Sequence, residues 1–186
     1  RMKRILLALL LLTASLAVYA QSNVTKFLGI PVEGTKSAMI QKLKTKGFVY
    51  NQKLDYLEGE FNGMRVHIYI HVQGGKVWRL AVVEKDSHDE SQIKTRYEKL
   101  CEQFERNPKY LPLSVDTLPE SKDLSYELVV HKKKYQAVYV QLPIDEDSLK
   151  RVVWVTFVRR TERYSGEYSI TIYYENGFNE ANGEDL

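Results

Sequence analysis

Residues 61–84 hold the pattern that most limits how this chain can fold. They read FNGMRVHIYIHVQGGKVWRLAVVE, with apolar and polar residues alternating along a run before Gly74-Gly75 and a run after it. A period of two is typical of a strand with one buried face, because successive side chains of a strand point to opposite faces. Asn62-Gly63 and Gly74-Gly75 are two-residue turns of the kind that join antiparallel strands. The stretch therefore predicts the central hairpin of an antiparallel sheet.

The same alternation assigns the side chains of this hairpin to faces. In the first strand, the residues expected to pack under helices are Met64, Val66, Ile68, Ile70 and Val72. In the second strand, one face is assigned Trp78, Leu80 and Val82, and the other Val77, Arg79, Ala81 and Val83. Short strands at 48–50 and 56–61 complete a predicted meander of about four strands.

Two helices are predicted from caps and helical spacing. Thr35 or Ser37 caps a short helix that ends near Gly47. A longer helix over residues 92–106 is preceded by Ser87-x-x-Glu90, a capping-box pattern, and its apolar positions include Cys101. The chain after it is predicted as a long connection over 109–123. Strands are then predicted at 124–131, 135–142, 151–159 and 167–175.

These elements predict an α+β fold made of antiparallel β-meanders with helices packed on one face. The order helix, four strands, helix, four strands raises the hypothesis of two related halves, residues 26–85 and 88–175. The alternative is that unrelated antiparallel meanders share this plan. Residues 21–175 are expected to form a single domain, and residues 176–186 a polar tail that frays.

The first twenty residues have the pattern of a secretory signal peptide. Lys3 and Arg4 precede an apolar run that is too short for a membrane span, and small residues follow it near Ala20. We therefore expect an exported protein, periplasmic or extracellular, with no stable membrane span after cleavage. The whole chain has a net charge of +3, and the three excess positive charges lie in this leader. The rest of the chain is neutral, which argues against a nucleic-acid partner.

The residues that could carry chemistry have simpler structural interpretations. His67 and His71 lie four residues apart on a predicted strand, about 13 Å, which is too far for one metal ion. Adjacent Ser87-His88-Asp89 suits a helix start better than a catalytic triad, whose members come from separate elements. Cys101, the single cysteine, lies on an apolar helix stripe and is expected to be an inert core thiol. No metal, cofactor or catalytic residue is predicted.

The polar face of the central hairpin is the predicted binding surface. Its candidate residues are Arg65, His67, Tyr69, His71 and Arg79. The chain also has 13 tyrosines, several of them in predicted strands. Tyrosine and arginine are favoured at protein interfaces, because each buries a large area and keeps a polar group. Ordinary packing of a solvated sheet face is the alternative interpretation.

Three segments, LGIPVEGTKSAMIQKLKTKGF, LEGEFNGMRVHIYI and KVWRLAVV, carry a resemblance that covers most of the chain after the leader. Through them the chain resembles a family of exported, functionally uncharacterised proteins of Bacteroidetes-type bacteria, which implies export but no activity. Its plan is also similar to the tandem α+β repeats of β-lactamase inhibitory proteins. The single cysteine departs from the disulfide pattern of those proteins, so the similarity is one of architecture only.

Two hypotheses of function follow. The first is an exported, non-enzymatic binding or structural module that presents a sheet face to a protein or an envelope component. The second is a periplasmic small-ligand carrier or hydrolase, whose site is assembled in space between the two halves. A pocket shared by both halves would favour the second hypothesis, whereas a flat and filled sheet-helix sandwich would contradict it.

Overall fold

An eight-stranded antiparallel sheet with helices on one face forms the body of the protein. The structure, a computed structural model, describes residues 23–119, 121, 123–160, 167–181 and 183. In chain order the elements are β1 (Lys26–Phe27), β2 (Ile30–Pro31), α1 (Lys36–Lys44), β3 (Val49–Asn51), β4 (Tyr56–Phe61), β5 (Met64–Gln73), β6 (Lys76–Glu84), α2 (Glu90–Glu105), β7 (Tyr110–Val115), α3 (Leu124–Val129), β8 (Gln136–Gln141), a 3₁₀ turn (Ser148–Lys150), β9 (Val152–Arg159) and β10 (Tyr168–Glu175).

The strand order of the large sheet is β3-β4-β5-β6-β10-β9-β8-β7. The meander β3 to β6 and the later strands therefore join through their last strands, β6 and β10, which pair antiparallel. The predicted α+β class and the predicted central hairpin are both confirmed. That the two parts of the sheet arose by duplication stays a prediction, because strand order alone does not establish ancestry.

Helices α1 and α2 cover the same face of the sheet. The Thr35 side chain caps α1, which buries Met39 and Leu43. A capping box begins α2, but it is formed by Asp89 and Gln92 and not by the predicted Ser87 and Glu90. The carboxylate of Asp89 accepts from the Gln92 amide at 2.8 Å, and charge-assisted bonds of this kind are the stronger caps. The prediction was thus wrong by two residues at this helix start.

Residues 109–131 differ from the sequence prediction. The expected connection contains β7, an edge strand paired with β8, and the expected strand at 124–131 is mostly helix α3. Pro112 is tolerated in β7 because an edge strand can lack one hydrogen-bond donor. Asp123 caps α3 by accepting from the Tyr126 amide at 3.0 Å. Leu124 and Glu127, three residues apart, are the buried positions, which is helical and not strand spacing.

The faces predicted for Val77 and Trp78 of β6 are wrong because the strand contains a β-bulge. The pairing of β5 with β6 shifts between His71 and Val72, so that Trp78 is the extra residue. In such a bulge two successive side chains point to one side. Val77 is consequently buried in the core, while Trp78 lies beside Arg79 on the face without helices.

One hydrophobic core lies between the sheet and the helices. A small hairpin, β1–β2, packs at the edge of this core. Its turn, Leu28-Gly29, has positive φ at both residues, which matches the twist of antiparallel strands. Phe27 of this hairpin is fully buried in the core. None of the helices in the described part of the chain is long and apolar enough to cross a membrane.

The sequence predicts a leader at residues 1–20 and a frayed tail at residues 176–186. The leader, residues 1–20, lies outside the described residues. In the assigned tail, the buried side chain of Asn176 donates to the Val32 carbonyl at 2.7 Å, and Asn179 donates to the Val77 carbonyl at 2.9 Å. Residues 176–179 are thus hydrogen-bonded to the domain.

Candidate functional site

The five predicted site residues lie together on the open face, the side of the sheet that carries no helix. Arg65, His67, Tyr69 and His71 alternate along β5, and Arg79 lies opposite His71 on β6. The row containing Tyr69 continues across β6 and β10 to Trp154 of β9, because Tyr69 pairs with Ala81, Ala81 with Tyr173, and Tyr173 with Trp154. Sequence alternation thus located this face, and the sheet order added Trp154 and Tyr173 to it.

Arg79 is engaged by neighbours on the open face, although its buried Nε atom has no hydrogen-bond partner among the described residues. It forms an ion pair with Glu175, whose side chain is 16% exposed. Its guanidinium carbon lies 4.0 Å from the centroid of Trp78 and 5.0 Å from that of Tyr173. Trp154 stacks on Tyr173 with ring centroids 4.2 Å apart. A cation held by a carboxylate and aromatic rings stabilises the sheet, and it is less available to a partner.

The other open-face residues also have partners. Arg65 forms an exposed ion pair with Asp86, with an N–O distance of 2.5 Å. The ring of His67 stacks on Tyr56, with centroids 4.1 Å apart, and His71 meets Trp78 edge-on at 6.5 Å. This network of internal contacts is what ordinary packing of an aromatic sheet face produces.

Burial sets the protonation of the two open-face histidines. It lowers the pKa of His67, with Lys85 adding to the effect and Glu58 opposing it. It also lowers the pKa of His71, where the positive charge of Arg79 acts in the same direction. Both rings are therefore held neutral to lower pH in the folded protein than in the unfolded chain.

We expect the two histidines to make stability depend on pH. Their folded pKa values lie below the unfolded value of about 6.5, so the unfolded chain binds protons first, and stability falls as the pH decreases through and below that value. In a His67→Gln, His71→Gln variant the loss of stability between pH 7.5 and 5 should be smaller than in the parent. Urea unfolding at several pH values measures this. The variant keeps His88 and His131, so an unchanged pH profile would contradict the assignment.

A cleft of about 1030 Å³ lies on the opposite, helix-covered side of the sheet. It is bounded by the β1–β2 hairpin, the end of β4, the C-terminal half of α2, the start of β7 and the loop after β8. The lining residues are Lys26, Leu28, Gly29, Glu60, Phe61, Asn62, Leu100, Gln103, Phe104, Asn107, Pro108, Lys109, Tyr110, Gln141, Leu142, Pro143, Ile144, Ile172 and Tyr174.

The interior of the cleft is largely apolar because it uses residues of the hydrophobic core. Ile172 and Tyr174 of β10 and Leu100 and Phe104 of α2 belong to the buried cluster. Phe104 packs edge-on against Tyr110, with ring centroids 4.9 Å apart. At one end of the cleft, α2 and the β4–β5 turn are joined by a 2.8 Å hydrogen bond. The cleft is therefore a gap between α2 and the hairpin, with the sheet as its floor.

A second hydrogen-bonded group lies in the cleft at the end of β8. The Gln141 amide donates to the Tyr110 hydroxyl at 3.2 Å and to the Lys26 carbonyl at 3.0 Å. Burial raises the pKa of Tyr110, and it raises that of Tyr174 strongly, with the charge and hydrogen bond of Tyr110 adding to it. Both phenols therefore stay protonated at ordinary pH and can act as hydrogen-bond donors.

The remaining chemical candidates behave as structural groups. Cys101 is buried, as predicted, and burial raises the pKa of its thiol, which disfavours the reactive thiolate. The ring of His88 lies 2.9 Å from the buried carboxylate of Glu84, which also forms an ion pair with Arg96. His88 is therefore hydrogen-bonded in a structural network rather than a triad. Within the described ranges no three His, Cys, Asp or Glu side chains are grouped as a metal site.

The sequence predicted the open face but not the cleft. The cleft contains none of the five predicted site residues. One of its walls, the start of β7, lies in a segment whose secondary structure was predicted wrongly. The available signal was a set of large apolar residues, Phe61, Phe104 and Tyr110, near the ends of elements. Only an arrangement in space shows that they surround a gap.

Comparisons with protein families, with characterised proteins and with solved structures each found no match. The two resemblances drawn from the sequence therefore stay predictions.

Proposed function

We propose that this protein binds a small ligand with an apolar body in the cleft, as an exported carrier or binding protein. The observation that supports this most is the cleft itself, about 1030 Å³ with core residues for a floor. Pockets for small molecules are typically concave, mostly apolar and a few hundred to about 1000 Å³ in volume. Protein cores are otherwise close-packed, so a cleft of this size that reaches core residues is a candidate binding site.

The lining of the cleft supports binding of a ligand with an apolar body and a polar group. The sheet floor and the α2 wall are mainly aliphatic and aromatic, with Leu100, Phe104 and Ile172 as examples. Tyr110 and Gln141 form one hydrogen-bonding group at the end of β8, and Asn62 and Gln103, which are bonded to each other at 2.8 Å, form another at the β4–β5 turn. A few placed polar groups in an apolar pocket fix the orientation of a ligand, while apolar burial supplies most of the affinity.

The position of the cleft matches the second sequence hypothesis. Its walls come from β1 and β4 on one side and from α2, β7 and β8 on the other, so both predicted halves contribute. The signal-peptide pattern in residues 1–20 supports a ligand that is met outside the cytoplasm. Export is therefore part of the proposed function.

A second candidate function is binding of a protein or envelope partner by the open face. Trp154, Tyr173 and Tyr69 are half-buried there and lie in one row across the sheet. Half-exposed aromatic residues are typical of interfaces. Arg79, which would be the natural anchor, is engaged by Glu175 and Trp78, and we therefore rank this face below the cleft.

Binding of the neutral apolar dye N-phenyl-1-naphthylamine to the purified protein tests the proposal. We expect saturable fluorescence enhancement with one site. A Leu28→Asp, Ile144→Asp variant should weaken dye binding at least about tenfold, because charge in an apolar wall disfavours the bound dye. Leu28 and Ile144 are 43% and 56% exposed, so the fold should tolerate both changes.

Leu149→Asp provides the matched control. Leu149 is 69% exposed and does not line the cleft, so this variant should bind the dye like the parent. Equal dye affinity in the parent and the double variant, with both folded by circular dichroism, would overturn the cleft as the site. Absence of saturable binding by the folded parent would also overturn the proposal.

A further inference from the structure

The rim of the cleft carries two lysines that the fold places side by side. The Lys26 amide donates to the Gln141 side chain at 2.6 Å, and the Gln141 side chain donates back to the Lys26 carbonyl. The Leu142 amide donates to the Lys109 carbonyl at 2.9 Å. Lys26 and Lys109 are thus hydrogen-bonded to successive residues at the end of β8, at the same end of the cleft as the Tyr110 hydroxyl.

Both ammonium groups are available for a ligand. Among the described residues, neither Lys26 nor Lys109 forms an ion pair, and both side chains are exposed. The nearby carboxylate of Asp145 is engaged by the buried Arg151 at 2.8 Å and by Asn23 at 3.0 Å. The positive charge at this end of the cleft is therefore not cancelled by that acid.

Glu60 is the single acid among the described residues that line the cleft. It lies on β4, next to Phe61, and pairs across the sheet with Arg65. The two lysines lie on β1 and on the segment before β7, which contact the end of β8. The charged groups lining the cleft therefore have an excess of positive charge, and the backbones of both lysines are hydrogen-bonded at the end of β8.

We infer that the ligand is an anionic amphiphile, such as a long-chain carboxylate, with its head between Lys26 and Lys109 and its chain against the cleft floor. This inference rests on the proposed function, because it describes the ligand of the same cleft. Opposite charges about 4 Å apart at a protein surface attract appreciably when the neighbouring medium is apolar. The Tyr110 hydroxyl lies at the same end and can donate to an anionic oxygen.

Competition against N-phenyl-1-naphthylamine tests the head-group charge. The competitors are dodecanoate, dodecanol and dodecyltrimethylammonium, which share a twelve-carbon chain and differ in charge, all used below the concentrations at which they form micelles. We expect dodecanoate to displace the dye at least about tenfold more effectively than either of the other two. Its advantage should shrink as the salt concentration rises, because salt screens exposed charges.

A Lys26→Gln, Lys109→Gln variant should remove most of the dodecanoate advantage while leaving dye and dodecanol binding unchanged. Lys44→Gln, Lys46→Gln is the matched control, since it changes the net charge equally but lies outside the cleft lining. It should keep the full preference for dodecanoate.

The outcomes separate this inference from the proposed function. If the dye binds in the cleft but the three competitors are equally effective, the head-group inference is overturned and the apolar site stands. The same holds if the two double variants lose the preference equally, because that indicates net charge rather than the rim. Failure of the dye to bind the folded parent overturns both.

Discussion

Replacing Arg151 by methionine is expected to lower the free energy of unfolding by about 3–5 kcal/mol. Arg151 is 1% exposed although it is charged. Its guanidinium group donates to the carbonyls of Asn23, Gln141 and Pro143 and to the carboxylate of Asp145. Methionine fills similar space but donates nothing, so these acceptors lose their partner. Removal of the donor has a large cost because three buried or part-buried carbonyls lose their partner, at about 1–3 kcal/mol for an unsatisfied buried group, whereas the carboxylate of Asp145 is 38% exposed and stays hydrated.

Urea unfolding of the parent and the variant measures this loss. Arg65→Met is the matched control, because Arg65 forms an ion pair with Asp86 in which both side chains are well exposed. Exposed pairs contribute about 0–1 kcal/mol, so the control should be nearly as stable as the parent. The bond from Arg151 holds the pKa of Asp145 below its usual range, and that pKa should rise in the variant. Equal stability of the two variants would contradict the structural role of Arg151.

Truncation of Phe27 to alanine is the second large effect, with an expected loss of about 3–5 kcal/mol. Phe27 is fully buried, although it lies in a two-residue strand near the start of the described chain. Its ring centroid is 5.0 Å from that of Phe61, 4.9 Å from Tyr174 and 6.2 Å from Phe48. The substitution removes these contacts and leaves a cavity between the hairpin and the sheet.

The neighbouring Leu28→Ala provides the comparison, because Leu28 is 43% exposed and should change stability by less than about 1 kcal/mol. A Phe27→Leu variant, which keeps much of the apolar volume, should lie between the two. Denaturant unfolding gives all three values. If Phe27→Ala proves as stable as Leu28→Ala, the β1–β2 hairpin does not pack on the core as the structure has it.

Local periodicity predicted the regular elements that bury one face along their whole length. The alternation of β5 placed Val66, Ile68 and Ile70 in the core and the site candidates on the other face. Val72 was assigned to the core face wrongly, because it lies past the bulge and is 43% exposed. Helical spacing in α2 likewise predicted that Leu100 and Cys101 are buried. In both cases a single face of a regular element is buried along its length, and the sequence records this directly.

Prediction was wrong where a short segment satisfies two patterns. In residues 124–130, apolar residues alternate as in a strand, yet the segment is one helical turn and a half capped by Asp123. The stretch predicted as a connection contains strand β7, which includes Pro112 and is largely exposed. This strand is stabilised by pairing with β8 rather than by burial. Backbone pairing with a distant strand leaves little trace in local hydrophobicity.

The sequence by itself determined the α+β class, the central hairpin, the longer helix and the open face, because side-chain periodicity reports burial one element at a time. Tertiary structure alone decided the bulge that turns Trp78 outward, the buried network of Arg151, and the cleft between α2 and the β1–β2 hairpin. These features depend on the distance between elements that are far apart in the chain. Lys26 and Lys109 come together only because both are hydrogen-bonded to the end of β8, and no local pattern encodes that proximity.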